Sequence, residues 1–433
     1  MGLTSLLAAS LNLSIAQSLN RLSLADALRL AEQNRIEVKV QQTQVQLAGN
    51  QEAIRRAAWL PQVNAGADIR WNTQIQRNII PNAPFANGQD VVLRFGTPIN
   101  NLLNAQAEQK IYDAQSRIDR QLNQTAVQTQ EVILERQRQD IRSQVTEAYY
   151  GAVFNREKLR LSEAARQRAE GYLEQARTRY GAGTLLQTDL SRFELDLRNA
   201  DLSRRNDQRD YTLSLETLRY RLNLPDGQTV VPADSLRQLF GQPTPVDANT
   251  AARLELKQED LTRQTALLNG RRQRAQLSPV VSAYGAYFLQ QLHDTFNPFA
   301  SGTWFPYNYL GVRLNVPLFD GRQARLNERQ NGLQAQISQQ NRQRLQNDFD
   351  YELKTAQNTL AQARDNLAET ERNIAQARAI LAIDRVRFDA GTLLLADFRN
   401  SEYTLQQAEN NYLQAVYNVL SGQLAVRRAT GNL

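Results

Sequence analysis

The chain has 433 residues, of which 41% are hydrophobic, and Lys and Arg outnumber Asp and Glu by 51 to 44. A composition this rich in Gln, Asn, Arg and Ala fits several compact cores poorly and suits an extended helical assembly with Ala-lined seams. The lack of cysteine excludes disulfides, thiolate metal sites, cysteine nucleophiles and a lipidated cysteine, and the single histidine, His293, leaves little for metal or acid–base chemistry. The net charge of +7 is spread along the chain among acidic residues rather than gathered into a patch, which argues against nucleic acid as a partner.

Residues 1–16 carry an apolar run from Leu3 to Ile15 followed by Ala16. Small residues stand where a signal peptidase cuts, so the stretch reads as a secretory signal lacking its basic start, or else as a frayed leader. No later run of about 18 apolar residues follows, so this chain enters a membrane only as strands, if it enters one. Proline partitions the remainder, because it is excluded from helix interiors. All 12 prolines fall within Pro61–Pro98, Pro225–Pro245, Pro279–Pro306 and at Pro317.

The predicted organisation is therefore helices over 17–61, two strands within 62–98 and a long helical hairpin over 99–222. A connector at 223–250 leads to a second round: helices over 251–278, two strands within 279–317 and a second hairpin over 318–433. From Val63 to Ile75 the odd positions are mostly apolar and the even ones polar, and Val91 to Phe95 offers a shorter partner across the loop at Arg77–Asp90. Leu310, Val312, Leu314 and Val316 alternate with Gly311, Arg313 and Asn315 in the same way, whereas the register of the strand from Val280 is open. Strands of this length with one apolar and one polar face suit a transmembrane barrel, in which Trp71, Trp304, Tyr307 and Tyr309 would form aromatic girdles. The alternative is a pair of ordinary hairpins capping a helical bundle. Four strands do not close a barrel, so the barrel reading requires oligomerisation.

The first helix of the first hairpin is expected to run from about Leu102 to Tyr180, on the order of 110 Å at 1.5 Å per residue. In the second, Leu353, Leu360, Leu367, Ile374, Leu381 and Phe388 recur at heptad spacing with Ala356, Ala363 and Ala377 between them. Its return helix answers with Leu405, Tyr412, Val419 and Val426 beside Ala408, Ala415 and Gly422. Small residues on one seam let helices approach closely.

The two hairpins turn on related sequences, Arg179-Tyr180-Gly181-Ala182-Gly183-Thr184-Leu185 and Arg387-Phe388-Asp389-Ala390-Gly391-Thr392-Leu393. Glycine supplies the left-handed end of one helix, and Thr184 and Thr392 stand where the N-cap of the next belongs, Thr184 with Gln187 as a capping box. Arg179 and Arg387 are placed to neutralise carbonyls at the preceding helix end. The equal spacing from Glu37 to Pro61 and from Glu255 to Pro279 shows that the duplication extends beyond the turns. Both GxG-like turns join helix to helix, so a dinucleotide site is excluded, and no residue set suggests catalysis or a bound cofactor.

With Leu24-Ala25-Asp26-Ala27-Leu28, Asn34, Leu60-Pro61, Val316-Pro317-Leu318-Phe319-Asp320-Gly321 and both Gly-Thr turns in this order, the chain resembles the TolC family of outer-membrane efflux and secretion ducts. That resemblance implies a mainly α fold with a small antiparallel β part. Long coiled-coil hairpins would form an α-barrel in the periplasm, and four strands per chain would contribute to a twelve-stranded transmembrane β-barrel in a homotrimer.

It also implies a periplasmic adaptor docking at the tip turns, Gly181, Gly183, Thr184, Leu185, Gly391, Thr392 and Leu393. The other implied partners are an inner-membrane transporter of the RND or ABC type and outer-membrane lipid. At the constriction the resemblance places Asp397 as the first ring aspartate and Asp189 as its counterpart in the first repeat. Asn400 stands where a second aspartate is expected, and Leu393 replaces the latching Arg. For both aspartates a plain helix-dipole role is the alternative. Closure is expected to rest on packing around Tyr180, Phe388, Leu393 and Phe398 more than on ion pairs. A non-channel coiled-coil scaffold of the envelope is the competing function.

Overall fold

A computed structural model describes residues 21–82, 84–228, 230–240, 249–297 and 302–433. The expected signal segment at 1–16 and part of the connector at 223–250 lie outside the described residues. In chain order the elements are strand β1 (Arg21–Leu22), helices α1 (Leu24–Asn34) and α2 (Ile36–Ala57), and strands β2 (Gln62–Trp71), β3 (Arg77–Ile80), β4 (Val91–Arg94) and β5 (Ile99–Asp113). Next come α3 (Ala114–Gly181), α4 (Gln187–Arg221), β6 (Val231–Pro232), α5 (Leu236–Phe240) and α6 (Leu254–Ala275). Strands β7 (Val280–His293) and β8 (Trp304–Asn315) precede α7 (Gln323–Asp389) and α8 (Leu395–Thr430). The duplication is metrical: α2 and α6 have 22 residues each, α3 and α7 have 68 and 67, and α4 and α8 have 35 and 36.

The chain divides into two compact units, one of Met1–Gln44, Gln130–Asp260 and Gln339–Leu433, the other of Val45–Thr129 and Leu261–Ser338. In the first, the heptad of α7 is buried at Leu353, Leu360, Leu367, Ile374 and Leu381, and Val419 and Leu420 of α8 are wholly buried. A Cβ on Gly422 would sit 3.3 Å from the Leu360 Cα, so glycine is what permits this close helix approach. The parallel pair of β1 and β6 is tied to α3 by Tyr149, fully buried, whose hydroxyl lies 2.8 Å from both the Leu22 carbonyl and the Asp234 carboxylate. That hydroxyl also accepts the Asp234 N–H at 3.2 Å. Arg253 fills the space beside the end of α8, donating to the Arg428 carbonyl at 2.9 Å and lying 4.0 Å over the Phe349 ring.

The second unit holds one four-stranded antiparallel sheet in the order β2-β5-β7-β8. This corrects the expected strand assignment in the first repeat. The partner of β2 is β5, not the segment from Val91 to Phe95, and helix α3 starts at Ala114 rather than near Leu102. The Val91–Arg94 segment, a strand as expected, pairs instead with Arg77–Ile80, which the sequence suggested was loop, in a separate two-stranded hairpin.

Candidate functional site

The sheet has two chemically distinct faces, because residues paired across antiparallel strands project to the same side. One face carries Val63, Ala65, Ala67, Ile69 and Trp71 of β2, Leu103, Ala105 and Ala107 of β5, Val281, Ala283 and Leu289 of β7, and Leu310, Val312 and Leu314 of β8. Leu310 is 91% exposed on it, and Val63, Ile69, Trp71, Val312 and Leu314 are exposed as well. Tyr287 lies on it too, and its polar positions are Asn101, Gln109, Gln291, His293 and Asn308. Of these, Asn101 donates to Gln291 at 2.8 Å, and Gln291 donates to the Asn297 carbonyl at 2.7 Å. The opposite face carries Asn64, Asp68, Arg70, Asn104, Gln106, Glu108, Ser282, Gln290, Arg313 and Asn315. The register of β7, open from sequence, thus puts Val281, Ala283 and Leu289 on the apolar side.

Trp71 and Trp304 lie on the apolar face near one end of the sheet, Trp71 opposite Ile99, Ile99 opposite His293, and Trp304 opposite Gln291. Tyr307 and Tyr309 lie on the polar face instead, opposite Phe288 and Ala286. The expectation that all four form one girdle is corrected, since strand alternation sends the two tyrosines to the other side. Both long edges, β2 and β8, have no strand partner among the described residues.

The hairpin turns have matching geometry. Gly183 and Gly391 take left-handed φ of 72° and 74°. The N–H of Thr184 meets the Arg179 carbonyl at 2.9 Å, as that of Thr392 meets Arg387, and each threonine hydroxyl donates to the same carbonyl at 3.0 Å. The threonines therefore close the preceding helix. This corrects the expected N-caps and the capping box: the N-caps of α4 and α8 are Leu186 and Leu394, neither with a side-chain capping bond. Asp189 and Asp397 occupy the first turns of these uncapped helices, where a carboxylate compensates exposed N–H groups. Asp189 also pairs with Arg192 at 3.3 Å. Asp397 and Asn400 are exposed, and Asp397 makes no ion pair among the described residues. Gly181 and Leu185 belong to the first turn, and Leu393 of the second is half-buried against the neighbouring aromatic cluster.

That cluster is the centre of the site. Phe398, 1% exposed, stacks on Phe388 with ring centroids 4.6 Å apart, and Tyr172 meets it edge-on at 5.0 Å. Tyr180 is 43% exposed and takes no part, contrary to expectation. Ion pairs surround the cluster. Arg399 holds Asp196 through two bonds of 2.7 and 2.5 Å. Arg179 reaches from the first turn to the second, donating to the Phe388 carbonyl at 3.3 Å and the Asp389 carbonyl at 3.2 Å, with its guanidinium 5.0 Å from the Phe388 ring centre. It thus neutralises the end of the other repeat's helix, not its own, while Arg387 pairs with Asp384 at 3.7 Å. The Tyr172 hydroxyl donates to Glu402 at 2.5 Å, and burial together with that carboxylate raises its pKa. Arg168 stands 3.4 Å from Glu402 and 3.5 Å from Glu409.

Sequence reasoning singled out neither Arg399 nor Asp196. Their counterparts in the other repeat, Ser191 and Thr404, are neutral, so the duplication gave no pointer to the pair. Among the described residues no cluster of His, Cys, Asp and Glu could hold a metal, and no helix is long and apolar enough to cross a membrane.

Residues 27–223 match the outer membrane efflux protein family. No curated protein matches the chain by sequence. Among solved structures, the outer membrane protein VceC of Vibrio cholerae is 15% identical with a TM-score of 0.72, covering 94% of this chain and 96% of its own. The outer membrane channel CmeC of Campylobacter jejuni is 15% identical with a TM-score of 0.72, covering 94% and 85%. The outer membrane channel MtrE of Neisseria gonorrhoeae, described in its open state, is 14% identical with a TM-score of 0.71, covering 94% and 88%. The chain shares their fold.

Proposed function

Taking as premise that residues 27–223 belong to the outer membrane efflux protein family, we propose that this chain is an outer-membrane channel-tunnel, the passive exit duct of a tripartite efflux or type I secretion system. The observation that carries the reading is the four-stranded sheet with one mainly apolar, exposed face, one polar face and two long edges unpaired among the described residues. An exposed apolar sheet face in water is an aggregation hazard, and against lipid it is the stable arrangement. Because β2 and β8 run antiparallel to their neighbours, β8 of one copy can continue into β2 of the next, and three copies close a barrel of twelve strands. Trp71 and Trp304 sit at the lipid interface in that barrel.

In this reading the two Gly-Thr turns form the periplasmic tip, where the adaptor docks and where the inner-membrane transporter of the RND or ABC type delivers cargo. The aromatic cluster and its ion pairs hold each protomer's two turns together, and Asp397 and Asp189 line the narrow end. The protein supplies a path and no chemistry of its own.

Native mass measurement in detergent tests the assembly: the expected species is three times the mass of the mature chain measured under denaturing conditions, and a monomer under all conditions contradicts it. With no native cysteine, one cysteine placed in β2 and one in β8 should yield an intermolecular disulfide without background.

A further inference from the structure

The polar face of the sheet carries one feature that a water-filled wall does not require. Along β7 and β8, Tyr307, Phe288, Tyr309 and Tyr284 form a run of touching rings that ends at Arg313, and Phe305 stands two residues before Tyr307 on the same face. Phe288 lies parallel to Tyr307 with centroids 4.7 Å apart and 5.7 Å from Tyr309, and Tyr309 meets Tyr284 edge-on at 5.9 Å. Phe288 is 8% exposed and forms the floor, whereas Phe305, Tyr307 and Tyr309 are 54%, 44% and 46% exposed. Gly311 makes room for the run, since a Cβ there would come within 2.7 Å of the Tyr284 ring. From Phe305 to Arg313 the track covers about 27 Å at the strand rise, close to the thickness of a bilayer's hydrocarbon core.

The structure also indicates what these rings receive. The Arg313 guanidinium, a planar delocalised cation, lies 4.7 Å from the centre of the Tyr284 ring. Aromatic faces carry negative potential, so planar cations are drawn to them, and half-exposed tyrosines along the remaining track offer further seats of the same kind. Glu108, opposite Tyr284 in the register, adds a carboxylate on the same face. We propose that this track is a binding surface for planar organic cations, along which such solutes move by stacking from ring to ring through the sheet's polar side. The assignment of that side to the duct interior rests on the function proposed above, whereas the binding itself does not.

The test is equilibrium binding of ethidium, a planar organic cation, to the full-length protein in lipid nanodiscs, read by fluorescence anisotropy against empty discs, with bilayer conductance recorded on the same preparation. The double variant Y307A/Y309A should weaken binding by about threefold or more, the size expected for exposed cation–π seats. Y307F/Y309F should bind as the parent does, and R313Q, which vacates the Tyr284 face, should bind at least as tightly. Equal affinity in Y307A/Y309A and parent, or equal binding of the planar anion fluorescein, overturns the proposal. Conductance lost while ethidium binding follows these expectations would sink the duct reading and leave the binding surface standing.

Discussion

Arg399 on α8 holds Asp196 on α4 through two parallel hydrogen bonds, Nε to Oδ2 at 2.7 Å and Nη2 to Oδ1 at 2.5 Å, and so ties the return helices of the two repeats together. The side chains are 37% and 30% exposed, so solvent screens part of the attraction, and the pair contributes about 1 kcal/mol rather than the several a dry site would give. R399Q or D196N should raise the open fraction of the channel in bilayer recordings by a few fold, and the exchanged pair R399D/D196R should restore much of the closed state. Unchanged gating in both single variants would show that the pair is incidental.

Phe398 is the larger contributor at the same place. It is almost wholly buried between Phe388 and Tyr172, and replacement by alanine leaves a cavity costing about 3–5 kcal/mol. F398A should therefore loosen the turns more than R399Q does, giving higher resting conductance and faster amide exchange in 387–402. An effect smaller than that of R399Q would refute packing as the main source of closure.

Asp397 is exposed and lacks an ion partner among the described residues, so D397A should change closure by no more than about 0.5–1 kcal/mol, the value of a first-turn carboxylate. A tenfold rise in conductance in this variant would mean that Asp397 takes part in a latch between copies.

Away from the turns, Y149F removes a hydroxyl that serves the Leu22 carbonyl and both the carboxylate and N–H of Asp234. The Leu22 carbonyl keeps the Ala233 N–H at 2.8 Å and the Asp234 carboxylate keeps the Leu24 N–H at 2.8 Å, so the loss is that of ordinary hydrogen bonding, about 0.5–1.5 kcal/mol, which thermal unfolding of the purified protein should register as a lower Tm. A Tm equal to that of the parent would indicate that water replaces the hydroxyl.

Acid should destabilise the same unit through Glu255. Burial disfavours its ionised form, but the Arg253 guanidinium, at 2.9 and 3.1 Å, outweighs this and holds the carboxyl below the usual carboxylate range. A depressed folded pKa means stability present above the ordinary carboxylate value and lost as pH falls through the folded one. E255Q should thus be less stable than the parent near neutrality, with the difference shrinking at acid pH. A constant difference across that range would contradict the linkage.

The helical hairpin of the second repeat is legible because a Leu and Ala heptad runs through α7 without a proline, and α8 answers it. The first repeat was not read as well. Strand β5 is rich in Ala, Gln and Asn, residues at home in helices or loops, and passes into α3 with neither proline nor glycine at the junction. Pairing with β2 on one side and β7 on the other overrides that local preference. Val91–Arg94 has the stronger strand composition and lies in a side hairpin. The threonine assignment failed for a related reason, since a hydroxyl near a turn can serve the helix behind it as readily as the one ahead. The Arg399 and Asp196 pair was invisible because neither residue belongs to the repeated motif and only the packing of α4 beside α8 brings them together.

A chain that forms a passive duct through a membrane conducts ions in a planar bilayer, which recording of the purified protein measures. The expected result is discrete conductance steps of uniform size, larger in F398A than in the parent. Folded, oligomeric protein that inserts into the bilayer and gives no steps in either form would contradict it.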